Sequence, residues 1–94
     1  MDTLLHEYAS IGDRNGAYYI AQVHGGQNLE GRWIGWIEFI PAGGTEPVMR
    51  TGTETTQATR DALEFWATGL EPIYLEGALE RAELIAVPRR PSPQ

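Results

Sequence analysis

Two segments in the first half of the chain concentrate the aromatic and β-branched residues that are typical of β-strands. One covers residues 18–23 and follows a turn that contains Asn15-Gly16, and the other covers residues 32–40. Pro41 and the glycines behind it end the second segment, and residues 47–53 are predicted to form a further strand. Residues 4–10 are predicted as the first strand, with a short helix as the alternative. This order predicts an antiparallel β-meander of three to four strands.

Helical periodicity replaces alternation in the second half of the chain. Thr55 or Thr56 is the predicted N-cap of a first helix that ends at Gly69, and Pro72 suits the first turn of a second helix. Residues 85–87 either continue that helix or add a short edge strand. The apolar sides of the two helices consist of Ala58, Ala62, Phe65, Trp66 and Leu70, and of Ile73, Leu75, Ala78, Leu79 and Ala82.

Strands followed by helices predict one α+β domain over residues 1–87, with the two α-helices packed on one sheet face. Residues 88–94 contain three prolines and two arginines and are predicted to form a flexible tail. Because the helices cover a single side of the sheet, the other side has to meet either water or another molecule.

Alternation along residues 32–40 separates the two sides of the sheet. Trp33, Gly35, Ile37 and Phe39 are assigned to the helix-covered side because this set carries no polar side chain. An apolar patch with a polar rim is typical of a binding surface, although Trp36 could instead belong to the core. The predicted partner-binding residues are Ile20, Gln22, Arg32, Ile34, Trp36 and Glu38, of which Ile20, Ile34 and Trp36 are expected to form one apolar strip.

The charge balance restricts the partners of this chain. Thirteen acidic residues and seven arginines, without any lysine, give a formal net charge of -6. Such a chain binds nucleic-acid phosphates poorly and suits a basic protein partner. The absence of cysteine excludes disulfides, thiolate nucleophiles and Cys-based metal sites. With no signal-peptide pattern and no apolar run of membrane length, we expect a cytoplasmic protein without a membrane partner, of bacterial origin given its exclusive use of arginine.

No catalytic constellation stands out in the sequence. Ser10 and Ser92 lack the surrounding motif of an activated nucleophile. His6, Glu7 and His24 are candidate metal ligands, but no short histidine motif joins them, so no metal site is predicted. We therefore expect a non-enzymatic protein that needs no cofactor.

A competing hypothesis uses the polar segment 50–57 as a site for a small anion. Arg50, Thr55, Thr56 and Arg60 would hold a phosphate or carboxylate at the entrance of the first helix, in a binding or enzymatic domain. The alternative interpretation is that the threonines belong to an edge strand and cap a helix, and Glu54 would repel an anion. Direct RNA binding by the aromatic sheet face is a further hypothesis, which the net charge disfavours.

Residues 18–70 resemble the HicB-like antitoxin domain in the order of their elements. The resemblance is carried by a strand that ends in Phe39-Ile40-Pro41, a glycine-containing connection, a strand that runs into Thr51-Gly52-Thr53, and residues 55–63. The family's Pro-Gly-Cys turn is replaced by Pro41-Ala42-Gly43-Gly44, and the second predicted helix lies outside the family's pattern. The resemblance implies a partial RNase H-like fold and a non-catalytic domain that grips a protein, as a dimer in some cases.

Size, acidity and the lack of catalytic groups lead to one functional hypothesis. The chain is expected to be a protein-interaction module, such as a small inhibitor, an antitoxin-like protein or an accessory subunit. Its partner is a protein or a second copy of the chain, bound through the exposed sheet face.

Overall fold

The computed structural model of this chain describes residues 2–43 and 47–84. Three long strands, β1 (Thr3–Gly12), β2 (Tyr18–Gln27) and β3 (Trp33–Pro41), form an antiparallel meander. Two short strands, β4 (Met49–Arg50) and β5 (Thr55–Gln57), share the remaining edge of β3. The predicted meander is therefore confirmed, and its first segment is a strand rather than a helix.

Two helices follow the strands, as the sequence predicts. They are α1 (Arg60–Thr68) and α2 (Pro72–Arg81), and a final short strand, β6 (Glu83–Leu84), pairs with β4. The sheet order is β1-β2-β3-β4-β6, with β5 beside β4 on the same edge of β3. The architecture is α+β, with the two helices packed against the antiparallel sheet.

Side chains that accept hydrogen bonds from the backbone close both long hairpins. The Asp13 carboxylate accepts from the N–H groups of Asn15 at 2.8 Å and Ala17 at 2.9 Å. In the second hairpin, the Asn28 side chain accepts in the same way from Glu30 at 2.9 Å. Such local turns fix the strand ends. The register of β1, β2 and β3 then decides which side chains form rows across the sheet.

The hydrophobic core lies between the helices and one face of the sheet. Gly35, Ile37 and Phe39 are buried on this face as predicted, whereas Trp33 is half-buried. Strand alternation supplies the sheet half of the core, and the inner sides of α1 and α2 supply the other half. The main buried cluster consists of Ile11, Tyr19, Ala21, Val23, Ile37, Phe39, Ala67, Leu75, Ala78 and Leu79.

Two large apolar residues of the helices lie outside the core, contrary to the sequence-based expectation. Phe65 is 83% exposed and Ile73 is 77% exposed. Each lies two positions before or after a fully buried leucine, Leu63 in α1 and Leu75 in α2. Two helical positions are about 200° apart, so a helix that buries the leucine turns its neighbour to solvent.

The start of α1 also differs from the expectation that Thr55 or Thr56 is its N-cap. The N-cap is Thr59, whose hydroxyl accepts from the N–H of Ala62 at 3.1 Å. Thr55 and Thr56 belong to β5 and lie opposite Gly35 and Ile34 of β3. Beyond β4, the edge of β3 still has backbone N–H and C=O groups without a strand partner. Residues 55–57 pair with this edge as β5, so the helix begins only after them.

Some predictions fall outside the part of the chain that the structure describes. These are the helix or strand at residues 85–87 and the tail at residues 88–94. Within residues 2–43 and 47–84, no helix is both long and apolar enough to cross a membrane.

Candidate functional site

The sheet face opposite the helices, which we call the open face, carries the candidate site. Both helices pack on the other face, and the residues of the open face are absent from the main buried cluster. Antiparallel pairing of β2 with β3 arranges the open face in rows. Along the strands, Ile20 lies opposite Ile40, Gln22 opposite Glu38, His24 opposite Trp36, and Gly26 opposite Ile34.

One row extends across four strands and consists of polar residues. Glu7 of β1 lies opposite Gln22 of β2, which lies opposite Glu38 of β3, which lies opposite Arg50 of β4. We call these four residues the charged row. The Gln22 amide donates to the Glu7 carboxylate at 2.8 Å. Within the described ranges, neither Glu7 nor Arg50 forms an ion pair, although they carry opposite charges at the two ends of the row.

Trp36 is buried on the open face by its neighbours on the sheet. The imidazole of His24 stacks on its ring from β2, with centroids 6.1 Å apart and an interplanar angle of 11°. The Arg50 guanidinium lies 4.5 Å from the ring centroid on the β4 side, a distance suited to a cation–π contact. Trp36 is only 4% exposed. The residue is thus buried without joining the helix-side cluster.

Glu38 connects the charged row to Trp36. Its carboxylate accepts from the Trp36 indole N–H at 3.4 Å and lies 3.7 Å from Nε2 of His24. The same His24 nitrogen is 3.2 Å from the side-chain oxygen of Gln22. Side chains of the open face are therefore connected to one another through the Trp36 ring and three polar contacts.

The expectation of one continuous apolar strip is wrong. Ile20 lies opposite Ile40, whereas Ile34 lies opposite Gly26, six residues further along β2. Six residues of strand span about 20 Å, and the charged row and the His24–Trp36 pair fill that interval. The sequence identified which residues point outwards, but the register that separates them is a property of the hairpin.

Arg32 stands apart from the other predicted partner-binding residues. It lies in the turn before β3, and its backbone N–H donates to the Asn28 side chain at 3.0 Å. Its side chain is exposed. The remaining five, Ile20, Gln22, Ile34, Trp36 and Glu38, all lie on the open face.

The residues of the anion-site hypothesis do not converge on a helix entrance. Arg50 lies over Trp36, and Arg60 forms an i,i+4 ion pair with Glu64 at 2.9 Å. Thr55 and Thr56 are consecutive strand residues, so their side chains point to opposite faces. The polar segment 50–57 is therefore spread over β4, β5 and the connection between them.

Glu54, in that connection, is bound to α2 rather than free to repel a ligand. Its carboxylate accepts from the Tyr74 hydroxyl and pairs with the Arg81 guanidinium at 2.6 Å. Burial and the hydrogen bond to Glu54 raise the pKa of Tyr74 to about 12. The hydrogen bond to Glu54 also raises the pKa of Arg81. This cluster attaches the β4–β5 connection to the helix layer.

The candidate metal ligands are not brought together. Glu7 and His24 belong to the open face, while His6 makes an edge contact with the ring of Tyr8, a residue that packs against the helix-side core. In the described part of the chain, no group of three or more His, Cys, Asp or Glu residues is placed to hold a metal ion.

A groove of about 500 Å³ lies between the β1–β2 turn and the end of α2. Tyr19, Met49 and Leu79 contribute apolar lining. At its rim, the Arg14 guanidinium pairs with the Glu80 carboxylate at 3.1 Å. That ion pair leaves no unmatched charge between these two residues to orient a ligand.

Comparison with known proteins gives no relative from which a function can be transferred. No family model matches the chain, and neither a curated protein nor a solved structure matches it. The resemblance to the HicB-like antitoxin domain therefore stays a prediction.

Proposed function

We propose that this domain is a non-enzymatic protein-interaction module that binds a protein partner through the open face. A small inhibitor, an antitoxin-like protein and an accessory subunit are roles of this kind. The observation that carries the proposal is the position of Trp36, which lies on the face that the helices leave uncovered. Tryptophan and arginine dominate binding energy at many protein interfaces, and here they are in direct contact.

The fixed arrangement around Trp36 supports this role. His24 and Arg50 hold the indole ring from neighbouring strands, and Glu38 accepts its N–H. A side chain that is already ordered loses little conformational entropy when a partner binds. Trp36 itself is buried, so a partner would meet the side chains that this fixed arrangement holds around the indole ring.

Apolar and polar residues alternate along the open face in a way that suits a protein partner. Ile20 with Ile40 at one end, and Ile34 at the other, are half-buried and leave apolar surface to cover. The charged row lies between them and supplies polar contacts. Interfaces commonly combine apolar contacts with directional polar ones in this manner.

Affinity capture with matched variants tests the proposal. Because Trp36 is buried, Ile34→Lys is the preferred open-face variant, and Phe65→Lys on the helix side is the control. We expect a protein that the wild type and the Phe65→Lys variant retain and that the Ile34→Lys variant loses. With that protein purified, the open-face variant should raise the dissociation constant about tenfold or more. Equal retention by all three forms, with circular dichroism showing that each is folded, contradicts the proposal.

A further inference from the structure

The charge pattern of the open face points to a specific occupant, and we infer that it is a second copy of this chain. This inference rests on the proposed function and names the partner of the same surface. Its starting point is the charged row, in which a carboxylate and a guanidinium without ion-pair partners in the described residues occupy opposite ends. Three strand spacings separate Glu7 from Arg50, about 14 Å, which is too far for a direct pair within one copy.

A twofold rotation brings these two charges together. Consider two copies whose open faces stack on each other. The twofold axis that relates them lies in the plane between the two sheets, runs parallel to the strands and passes between β2 and β3. The rotation places β1 of each copy over β4 of the other, so Glu7 faces Arg50 of the second copy, twice per dimer. Aligned sheets cross at about 30°, which displaces strands β1 and β4 by about 4 Å. Glutamate and arginine side chains are long enough to accommodate that displacement.

The same rotation places each of the remaining rows of the open face opposite the same row of the second copy. Ile20 of each copy faces Ile40 of the other, so four isoleucine side chains form one apolar cluster. In the row on the other side of the charged row, His24 faces Trp36 of the second copy. Self-matching of apolar, polar and aromatic rows about one axis is what an isologous interface requires.

The size of the face predicts a weak dimer. Four strands at the usual spacing, with β3 nine residues long and β4 only two, make a surface of about 500 Å² per copy. A stable interface of standard size buries about 800 Å² per partner. We therefore expect a dissociation constant on the order of micromolar, which concentration-dependent methods detect readily.

Reversal of the charges at Glu7 and Arg50 tests the geometry. Glu7→Arg or Arg50→Glu alone sets like charges against each other at both contacts of the dimer, and each should raise the dissociation constant about tenfold or more. The double variant Glu7→Arg with Arg50→Glu restores both attractive contacts and should recover most of the lost affinity. Sedimentation equilibrium over a wide concentration range measures all four forms.

Matched charge reversals on the helix layer serve as controls. Glu76→Arg and Arg60→Glu change the net charge by the same amounts at exposed positions of α2 and α1. These variants should leave the dissociation constant within about a factor of two, so recovery in the double variant cannot come from net charge alone. Circular dichroism confirms that every variant is folded.

Three results overturn the inference. The first is a wild type that stays monomeric at millimolar concentration. The second is a dimer that neither single reversal weakens, and the third is a double variant that is no tighter than the weaker single variant. Capture of a different protein that Ile34→Lys abolishes would still support the open face as a binding site without self-association, so failure of the dimer and failure of the proposed function are distinguishable.

Discussion

Gly25 of β2 lies directly opposite Gly35 of β3, and the side chain of Leu63 in α1 lies over both glycines. A Cβ atom at Gly25 would be 2.6 Å from Cδ2 of Leu63, and one at Gly35 would be 3.0 Å from its Cδ1. The paired glycines thus form a shallow depression in the sheet that admits the helix. Because α1 packs closely on this face, the open face is the side of the sheet that the helices leave uncovered.

We predict that Gly35→Ala destabilises the fold by about 1–3 kcal/mol, the usual cost of overpacking a tight contact. The added methyl group would also lie 2.7 Å from Cζ3 of Trp66 and 3.1 Å from Cγ2 of Thr55. Urea denaturation measures the loss in the free energy of unfolding. Gly52→Ala is the control, because a Cβ at that position has no heavy atom within 4 Å. Equal effects of the two substitutions would show that backbone entropy, not crowding, decides the outcome.

Thr51 supplies a second test, at the point where β4 ends. Its buried hydroxyl accepts from the N–H of Ile37 at 3.0 Å and donates to the carbonyl of Gly52 at 2.8 Å. Thr51→Val leaves a buried N–H without its acceptor, and we expect a loss of about 1–3 kcal/mol in the free energy of unfolding. Amide hydrogen exchange at Ile37 should accelerate in the same variant.

The control for Thr51 is Thr51→Ser, which retains the hydroxyl and should keep both hydrogen bonds. A loss equal to that of Thr51→Val, which retains the methyl group and removes the hydroxyl, would mean that the methyl group stabilises this part of the sheet edge as much as the hydroxyl does. Thr53→Val, at an exposed position of the same connection, should change stability by less than about 0.5 kcal/mol.

Alkaline pH tests the contact between Tyr74 and Glu54. Burial and this hydrogen bond raise the pKa of Tyr74 from 10.0 to about 12. Between these values the unfolded chain loses the phenol proton while the folded chain retains it, so the unfolded state is favoured as pH rises. The stabilisation is complete below about pH 10 and disappears as pH increases through the folded pKa. We expect the free energy of unfolding to fall more steeply over this interval in the wild type than in Tyr74→Phe.

The comparison with Tyr74→Phe isolates one phenol from the other titrating groups of the chain. Absorbance titration of the two folded proteins should differ by one phenolate that forms near pH 12. If the two proteins lose stability in parallel with pH, the hydroxyl of Tyr74 does not contribute to the attachment of the β4–β5 connection to α2.

The sequence by itself determined the class of the fold and, for the two strands β2 and β3, the side of the sheet on which successive residues lie. Composition and periodicity were enough to predict the meander and the two helices. They also predicted that Ile37 and Phe39 lie on the helix-covered face of β3 and that Trp36 lies on the other face. These properties depend on residues close together in the chain, because alternation in a strand and the periodicity of a helix are local. Local periodicity did not decide which apolar residues of a helix face the sheet. In α1, the packed structure turns Leu63 and not Phe65 towards the sheet.

Tertiary structure alone decided which residues of the open face are neighbours. Strand register places Ile20 far from Ile34, joins Glu7, Gln22, Glu38 and Arg50 in one row, and brings His24 and Arg50 to Trp36 from different strands. It also made Thr55 and Thr56 part of a strand rather than the start of a helix. The physical reason is that backbone hydrogen bonds between strands join residues distant in sequence, and a shift of one residue would place each side chain on the other face.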